Sequence, residues 1–187
     1  LLSVNSSTSN EIASLNNLSG VTGSSINLDN KSLRVNNTQD TVFSGDFEGT
    51  PGNLIKAGAA NLTLSGKTLY TGDTLINEGS LTLDGSNYGA QLTSNVIGEK
   101  GTTLNLINGA TLTGFIDPTD VNIDRRSTWN MTGDSVVNHL NHSGTINFAE
   151  PENNTFKTLI VEGDFIGNHG LMTMNTQLGG DLSATDR

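Results

Sequence analysis

Pairs of apolar residues separated by a single residue recur along the chain. Residues i and i+2 of a β-strand point to the same side, so each pair predicts a short strand with two inward side chains. The intervening residue is polar in every pair except the one centred on Ile160. The pairs are Leu62/Leu64, Leu81/Leu83, Leu104/Leu106, Trp129/Met131, Ile146/Phe148, Leu159/Val161 and Met172/Met174.

Turn-forming dipeptides follow several of these predicted strands. Asn-Gly and Asp-Gly tolerate positive φ angles, so they indicate corners or tight turns. The dipeptides are Ser65-Gly66, Asp84-Gly85, Asn108-Gly109, Thr132-Gly133 and Glu162-Gly163.

Helical spacing of apolar residues is nearly absent. Residues 9–18 are the candidate for it, and we expect a turn or a single helical loop there.

A six-residue phrase is repeated almost unchanged, as NLTLSG at residues 61–66 and SLTLDG at residues 80–85, and similar pairs recur every 19 to 23 residues there. Such self-similarity is typical of a repeat architecture. One turn of a parallel β-helix uses about that many residues, and it stacks on the previous turn about 4.8 Å away. An antiparallel sandwich also has short strands and frequent turns. The near-identity of successive phrases favours an all-β, single-stranded parallel β-helix.

The composition supports a solenoid with a thin core. Only 33% of the residues are apolar, while the charged fraction of 15% and the three prolines are unlike a disordered chain. The net charge of −10 argues against binding of nucleic acid or of an anionic membrane surface. No apolar run approaches the ~20 residues that span a bilayer, and the first residues lack the pattern of a signal peptide. We therefore expect a piece of a longer chain that does not insert into a membrane.

Two short motifs could carry chemistry, but both have structural explanations. Gly-Asp-Ser at residues 133–135 begins like a hydrolase signature, yet Val136 and Val137 follow where an oxyanion-hole glycine is needed. His139 and His142 could offer two metal ligands, but residues i and i+3 of a strand face opposite sides, and the chain has no cysteine. We predict a structural role for the serine, solvent-facing or corner positions for the histidines, and no metal or other cofactor.

An acidic cluster of Asp117, Asp120 and Asp124 offers the best alternative for an enzyme. β-Helix enzymes that act on polysaccharides use paired carboxylates on the outer face, so the cluster could serve a glycan lyase or hydrolase. The run around Pro118 is also typical of a loop or corner, which we favour, and we expect no catalytic residues in this fragment. An enzyme needs the carboxylates to converge in a groove, whereas a structural stalk has them splayed.

Residues 52–85 resemble the autotransporter-associated β-strand repeat, which is a long and specific motif. The stretch GNLIKAGAANLTLSGKTLYTGDTLINEGSLTLDG follows the family's order of apolar positions, lysine, glycines and closing strand. Asp73 departs from the pattern because a second glycine is usual there, and Leu69 intrudes beside Tyr70. The matching residues are Leu54, Lys56, Gly58, Leu62, Leu64, Gly66, Tyr70, Thr71, Gly72, Thr74, Ile76, Gly79, Leu81 and Leu83.

Residues 127–148 and 156–187 look like the end of a pertactin-type autotransporter passenger, which includes the segment called the autochaperone. The resemblance implies a right-handed parallel β-helix, secreted through or alongside its own outer-membrane β-barrel translocator to the bacterial cell surface. We expect one continuous solenoid, with N-terminal turns of unclear match in residues 1–40, the repeat in residues 41–125 and autochaperone turns in residues 126–187.

The function implied by the resemblance is that of a stalk that assists folding and secretion and displays an upstream adhesive or enzymatic region. Aromatic residues occur late in the chain, where a folding nucleus would form first during secretion. Self-association along a flank through Asn and Thr ladders, or binding of a host surface receptor, is a further expectation about partners. The candidates for the folding nucleus are Trp129, Phe148, Phe156, Leu159, Val161 and Phe165.

Overall fold

The computed structural model describes residues 2–3, 12–87, 89–180 and 183–187, and these residues contain β-strands and no helix. Most strands are three to five residues long. The strands are β1 (Leu2–Ser3), β2 (Ile12–Asn16), β3 (Ser25–Asn27), β4 (Ser32–Asn36), β5 (Thr41–Phe43), β6 (Asp46–Glu48), β7 (Asn53–Ala57), β8 (Asn61–Leu64), β9 (Thr74–Ile76), β10 (Ser80–Asp84), β11 (Gln91–Thr93), β12 (Val96–Gly98), β13 (Thr103–Ile107), β14 (Thr111–Thr113), β15 (Ile116–Asp117), β16 (Asp120–Ile123), β17 (Thr128–Met131), β18 (Ser135–Val137), β19 (Leu140–His142), β20 (Thr145–Phe148), β21 (Leu159–Val161), β22 (Phe165–Gly167) and β23 (Leu171–Thr173).

The strands stack in three columns, which we call faces A, B and C. Face A contains β1, β3, β6, β11, β14, β17, β20 and β23, with a single bridging residue, Thr68, between β6 and β11. Face B contains β2, β4, β7, β9, β12 and β15, followed by the pair β18 and β21. Face C contains β5, β8, β10, β13, β16, β19 and β22. Every ladder between these strands is parallel and joins successive turns, so the predicted parallel β-helix is confirmed.

The predicted inward pairs form a continuous core. On face C, Leu62, Leu81 and Leu104 are register partners in three successive turns, and all three are fully buried. Full burial of one such side chain contributes about 1.5–3 kcal/mol, which explains how few apolar residues can order the chain. Met174 is an exception, because it lies beyond the end of β23 and is 47% exposed. Further inward pairs, such as Leu33/Val35 and Val121/Ile123, belong to the same core but were not selected from the pattern.

Corners between the faces are built partly by left-handed residues. Of the five predicted corner dipeptides, Asn108-Gly109 adopts this conformation, with φ angles of 57° and 89°. Gly58, at the corner after β7, has a φ angle of 78°, and a Cβ atom there would lie 2.2 Å from the carbonyl oxygen of Asn37 in the preceding turn. A glycine is therefore required where two turns approach this closely.

Residues 12–16 form β2 and correct the expectation of a turn or helical loop; residues 9–11 lie outside the described residues. Strand β2 pairs along its whole length with β4, and this places Ala13 and Leu15 against the core. Pairing with β4 gives hydrogen-bond partners to the backbone of five residues at once. A short helix with weak apolar spacing would gain less, because its first turn is costly to form.

Lys56 of the repeat motif points into the solenoid and is fully buried. Its ammonium group donates to the carbonyl oxygens of Ala57, Gly58 and Glu78 at 3.1, 2.7 and 2.9 Å, and so joins two turns at one corner. Burial lowers the pKa of Lys56 to about 8, against the opposing influence of the Glu78 and Asp40 carboxylates. The group is therefore still protonated at neutral pH.

Candidate functional site

Trp129 lies on β17 and is the largest fully buried side chain of the described residues. Its register partners on face A are Leu112 and Ile146, so the indole is stacked between two apolar turns. The indole N–H donates to the carbonyl oxygen of Gly114 at 2.9 Å, which satisfies its one polar atom. Trp129 therefore links the strands of face A to the corner after β14.

The other five nucleus candidates lie nearer the C-terminal end and are less buried. Phe148 is buried at the end of β20, and Leu159 and Val161 on β21 are partly buried and pack against the core. Phe156 is partly buried between β20 and β21. Phe165 is 53% exposed, although it pairs with an inward residue of β19, because no further strand of the described residues covers it.

A second aromatic group lies in the first half of the chain, and the sequence reasoning did not weigh it. The ring centroids of Phe43 and Phe47 are 5.0 Å apart, and those of Phe47 and Tyr70 are 6.0 Å apart. The Tyr70 hydroxyl lies 2.6 Å from the Thr74 hydroxyl, and burial raises the pKa of Tyr70. Leu69, the residue that intrudes beside Tyr70 in the motif, turns outward and is 56% exposed.

The last residues of the chain fold back onto the end of the solenoid. The buried Asp186 carboxylate accepts hydrogen bonds from the backbone N–H of Lys157 at 2.7 Å, and from the backbone and side-chain N–H groups of Asn175 at 2.6 and 2.8 Å. The carbonyl oxygen of Arg187 accepts from the Leu159 N–H at 2.7 Å, which extends the pairing beyond β21. We call Asn175, Asp186 and Arg187 the C-terminal clasp. Its residues show no periodicity, and sequence reasoning therefore missed it.

His142 is buried on the inner side of β19, which corrects the prediction of a solvent-facing or corner position. Its ring centroid lies 6.3 Å from that of Phe165, and a Cβ atom at Gly170 would come within 2.6 Å of the imidazole. The Nε2 atom has no hydrogen-bond partner in the described residues. Burial lowers the pKa of His142, although hydrogen bonds with the backbone of Gly144 and Leu171 oppose this shift.

Ser135 and His139 take structural roles. The Ser135 hydroxyl is buried at the start of β18, where it donates to the carbonyl oxygen of Gly133 at 3.1 Å and accepts from the Ile116 N–H at 3.2 Å. His139 lies at the corner before β19 and is exposed, as predicted. Its Nδ1 atom accepts from the Asp164 N–H at 3.0 Å and lies 3.7 Å from the Asp164 carboxylate.

The three aspartates of the proposed enzyme site lie on two faces and a corner. Asp117 is exposed on β15 of face B, Asp120 begins β16 of face C, and Asp124 follows β16. Asp124 accepts from the Asn108 N–H at 2.6 Å and from the Ser127 hydroxyl at 2.7 Å. Burial raises the pKa of Asp124, but these hydrogen bonds outweigh it and hold the pKa below its usual value. The described residues also contain no group of three or more His, Asp or Glu side chains that could hold a metal ion.

Outward Asn and Thr side chains bond to one another along faces A and C. The Asn147 amide donates to Asn130 Oδ1 at 3.0 Å on face A, and the Asn122 amide donates to Asn105 Oδ1 at 2.8 Å on face C. These side-chain hydrogen bonds run along the solenoid axis. The Asn N–H groups of each ladder therefore have their partners within the same chain. The ladders are extended by Thr113, Thr173 and Thr82.

Comparison with known proteins identifies the C-terminal turns. Residues 135–187 match the family described as Autochaperone Domain Type 1. Over 157 residues the chain is 30% identical to the uncharacterized protein YuaQ of Escherichia coli (strain K12), an alignment that covers 83% of this chain and 9% of that protein. Over 154 residues it is 30% identical to the autotransporter adhesin/invasin TibA of Escherichia coli O78:H11, covering 76% of this chain and 15% of that protein. No solved structure matches the chain significantly.

The chain thus spans only a small part of the length of these two curated relatives. Among the described residues, none forms a helix long and apolar enough to cross a membrane. Parallel turns, the matched C-terminal family and the likeness to an autotransporter agree with one another. These findings support an autotransporter passenger β-helix region, of which residues 135–187 match an autochaperone domain of type 1.

Proposed function

We propose that this chain is the stalk of a secreted autotransporter passenger and that its C-terminal turns template the folding of the turns upstream. The observation that carries the proposal is the parallel stacking of the strands, in which each turn of the described residues pairs with the turns directly before and after it. A first turn orders many residues for few contacts, whereas an added turn gains strand pairing and apolar burial together. Folding therefore needs one turn that forms first, from which the others can be added.

The C-terminal end is the better candidate for that first step. Trp129 and Phe148 supply large buried aromatic side chains there, and Leu159 and Val161 are partly buried against the same core. The clasp around Asp186 ties the last residues to β21. We propose that these residues form the folding nucleus, with Phe156 and Phe165 at its boundary. The family match over residues 135–187 supports a C-terminal location of the nucleus, although Trp129 lies just before the matched residues.

Pulse-labelled hydrogen exchange during refolding of the 187-residue chain tests the proposal. Backbone amides of β17, β19 and β20 should become protected before those of β4, β7 and β8. The two groups of strands are a matched comparison, because β7 and β8 are paired with their neighbours as completely as β17 and β20 are. Protection that starts in the N-terminal strands, or that rises in all strands at the same rate, would contradict a C-terminal nucleus.

We also propose that the stalk displays an upstream adhesive or enzymatic region on the bacterial surface and that a C-terminal translocator of the same protein is its partner in secretion. The similarity to TibA, an autotransporter adhesin/invasin, supports the adhesive alternative. Protease treatment of intact cells that express the full-length protein tests surface display. The protease should cleave the stalk on intact cells. A stalk that is cleaved only after the cells are lysed would overturn the proposal.

A further inference from the structure

Asn108 and Gly109 form the only Asn-Gly dipeptide of the sequence. They lie at the corner after β13, where Asn108 is exposed and both residues have left-handed φ angles. In an unfolded chain this dipeptide loses its side-chain amide readily, because glycine has no side chain to hinder attack by its own backbone nitrogen. The Gly109 nitrogen bonds to Cγ of Asn108 and ammonia leaves, which closes a succinimide ring. Water then opens the ring and yields either aspartate or isoaspartate.

The turns on both sides of this corner hold the two reacting groups. In the preceding turn, Asp84 Oδ1 accepts from the side-chain amide of Asn108 at 2.9 Å. In the following turn, the Asp124 carboxylate accepts from the backbone N–H of Asn108 at 2.6 Å. The Ser127 hydroxyl accepts from the Gly109 N–H at 3.2 Å. The side-chain amide and the attacking nitrogen therefore both have partners outside the dipeptide.

Asp84 is a strong acceptor for the Asn108 amide. Burial raises the pKa of Asp84, but hydrogen bonds from Asn108 and Ser86 outweigh this effect and hold the pKa below its usual value. The carboxylate is ionised at neutral pH, so its bond to the amide is charge-assisted. Ring closure requires the amide to leave Asp84 and to meet the Gly109 nitrogen in a near-attack geometry. Stacking therefore opposes the reaction, and local opening of the corner permits it.

The products fit this corner poorly. Aspartate at position 108 would place a third carboxylate beside Asp84 and Asp124, and it has no amide to donate to Asp84. Isoaspartate would lengthen the backbone by one carbon atom at a closely packed corner, where a Cβ atom on Gly85 would lie 2.4 Å from the carbonyl carbon of Gly109. We propose that Asn108 is a site of spontaneous deamidation, that stacking of the neighbouring turns suppresses the reaction, and that deamidated chains restack poorly here.

The reaction distinguishes chains by the time that they spend unfolded. A chain that folds promptly keeps Asn108, whereas a chain that stays unfolded loses the amide progressively and irreversibly. This holds whichever end of the solenoid folds first, because the turn before and the turn after each contribute a carboxylate to the corner.

Mass spectrometry of the folded 187-residue chain and of a synthetic peptide of residues 103–114, both in mildly alkaline buffer, tests the suppression. Trypsin cleaves after Lys100 and Arg125, so one fragment carries the dipeptide. Asn105 and Asn122 are internal controls in that fragment, since Leu and Ile follow them. Asn108 should deamidate at least about 100-fold more slowly in the folded chain than in the peptide. Equal rates would overturn the proposal.

Variants of Asp84 test whether the stacked turn is the cause. Asp84→Ala should speed deamidation in the folded chain by about tenfold, and Asp84→Asn, which keeps an acceptor oxygen, by about threefold. Asp73→Ala is the matched control, because Asp73 accepts from the side-chain amide of Asn95 in the next turn at 3.2 Å. It should leave the rate at Asn108 unchanged. A folded Asp84→Ala chain that deamidates no faster than Asp73→Ala would contradict the proposal; if circular dichroism shows Asp84→Ala unfolded, the same comparison is made with Asp84→Asn.

Asn108→Asp tests the effect of the product on stacking. In urea titrations this variant should raise the equilibrium constant for unfolding by about tenfold. Asn154→Asp is the control, because it adds the same charge at another exposed residue with a left-handed φ angle of 60°. It should change the constant by less than about twofold. An Asn108→Asp chain as stable as the Asn154→Asp chain would refute the statement that deamidated chains restack poorly.

Discussion

Replacement of Trp129 by alanine is the sharpest test of where folding begins. The side chain is fully buried between Leu112 and Ile146, and its indole N–H is bonded to Gly114. The variant leaves a cavity in face A and a carbonyl oxygen without its donor. We expect both the equilibrium stability and the refolding rate of the chain to fall.

The magnitude follows from the buried surface. A buried tryptophan removes at least ~150 Å² from water, and at ~25 cal/mol per Å² this area is worth about 4 kcal/mol. The lost hydrogen bond adds about 1 kcal/mol. Trp129→Ala should therefore lower the free energy of unfolding by about 5 kcal/mol, at the upper end of values for such replacements. Trp129→Phe keeps most of the packing and should cost about 1–3 kcal/mol, chiefly from the unpaired Gly114 carbonyl.

Kinetics distinguish a nucleus residue from an ordinary core residue. If the contacts of Trp129 are half formed or more in the transition state, Trp129→Ala should slow refolding by about 10²-fold. Leu83→Ala on β10 is the matched control, since Leu83 is also fully buried. It should lose about 3 kcal/mol and slow refolding only about threefold, with most of its effect on the unfolding rate. Because Trp129 is the single tryptophan of the chain, the assay is stopped-flow circular dichroism after dilution from urea.

One result would refute the reasoning. If Trp129→Ala refolds as fast as the unchanged protein while Leu83→Ala refolds slowly, the nucleus lies in the upstream repeat. The aromatic group of Phe43, Phe47 and Tyr70 would then be the candidate for its centre. If both variants lose stability but refold at unchanged rates, stacking does not begin at either position.

Three further perturbations have definite expected outcomes. Burial lowers the pKa of His142 in the folded chain below its value in the unfolded chain, which is near 6.5. The neutral imidazole therefore contributes to stability above that pH, and the contribution is lost as the pH falls below it. The free energy of unfolding should therefore decline between about pH 7 and pH 5, and His142→Asn should flatten that decline in urea titrations. Asp186→Asn should lower the free energy of unfolding by about 2–3 kcal/mol and speed amide exchange in β21, because the neutral side chain cannot accept all three clasp hydrogen bonds. The control is Asp164→Asn at an exposed carboxylate, which should lower it by less than about 0.5 kcal/mol. Gly58→Ala should cost about 2 kcal/mol or more in thermal unfolding, since its φ angle is left-handed and the added Cβ meets a backbone oxygen of the preceding turn; an unchanged Tm would show that the corner can relax.

The strands and their stacking could be predicted from the sequence because both depend on local or repeated patterns. Alternation of inward and outward side chains has a period of two residues, and any stretch such as residues 61–64 displays it without reference to the rest of the chain. The near-copy at residues 80–84 then implied a turn of matching length above it. Prediction was weaker where polar residues precede or interrupt the pattern, as at residues 12–16.

The tertiary structure decided which side chains meet. Corner lengths vary from turn to turn, so separation along the chain does not tell which residues share a face, and Asp117 and Asp120 lie on different faces three residues apart. The clasp joins Asp186 to Asn175 and Lys157 across 11 and 29 residues by hydrogen bonds that have no periodic signature. A histidine on a short strand faces inward or outward according to the register of its neighbours, which only the folded stack determines. The sequence alone thus determined the repeating unit, and the packing of one turn on the next determined every contact that could carry function.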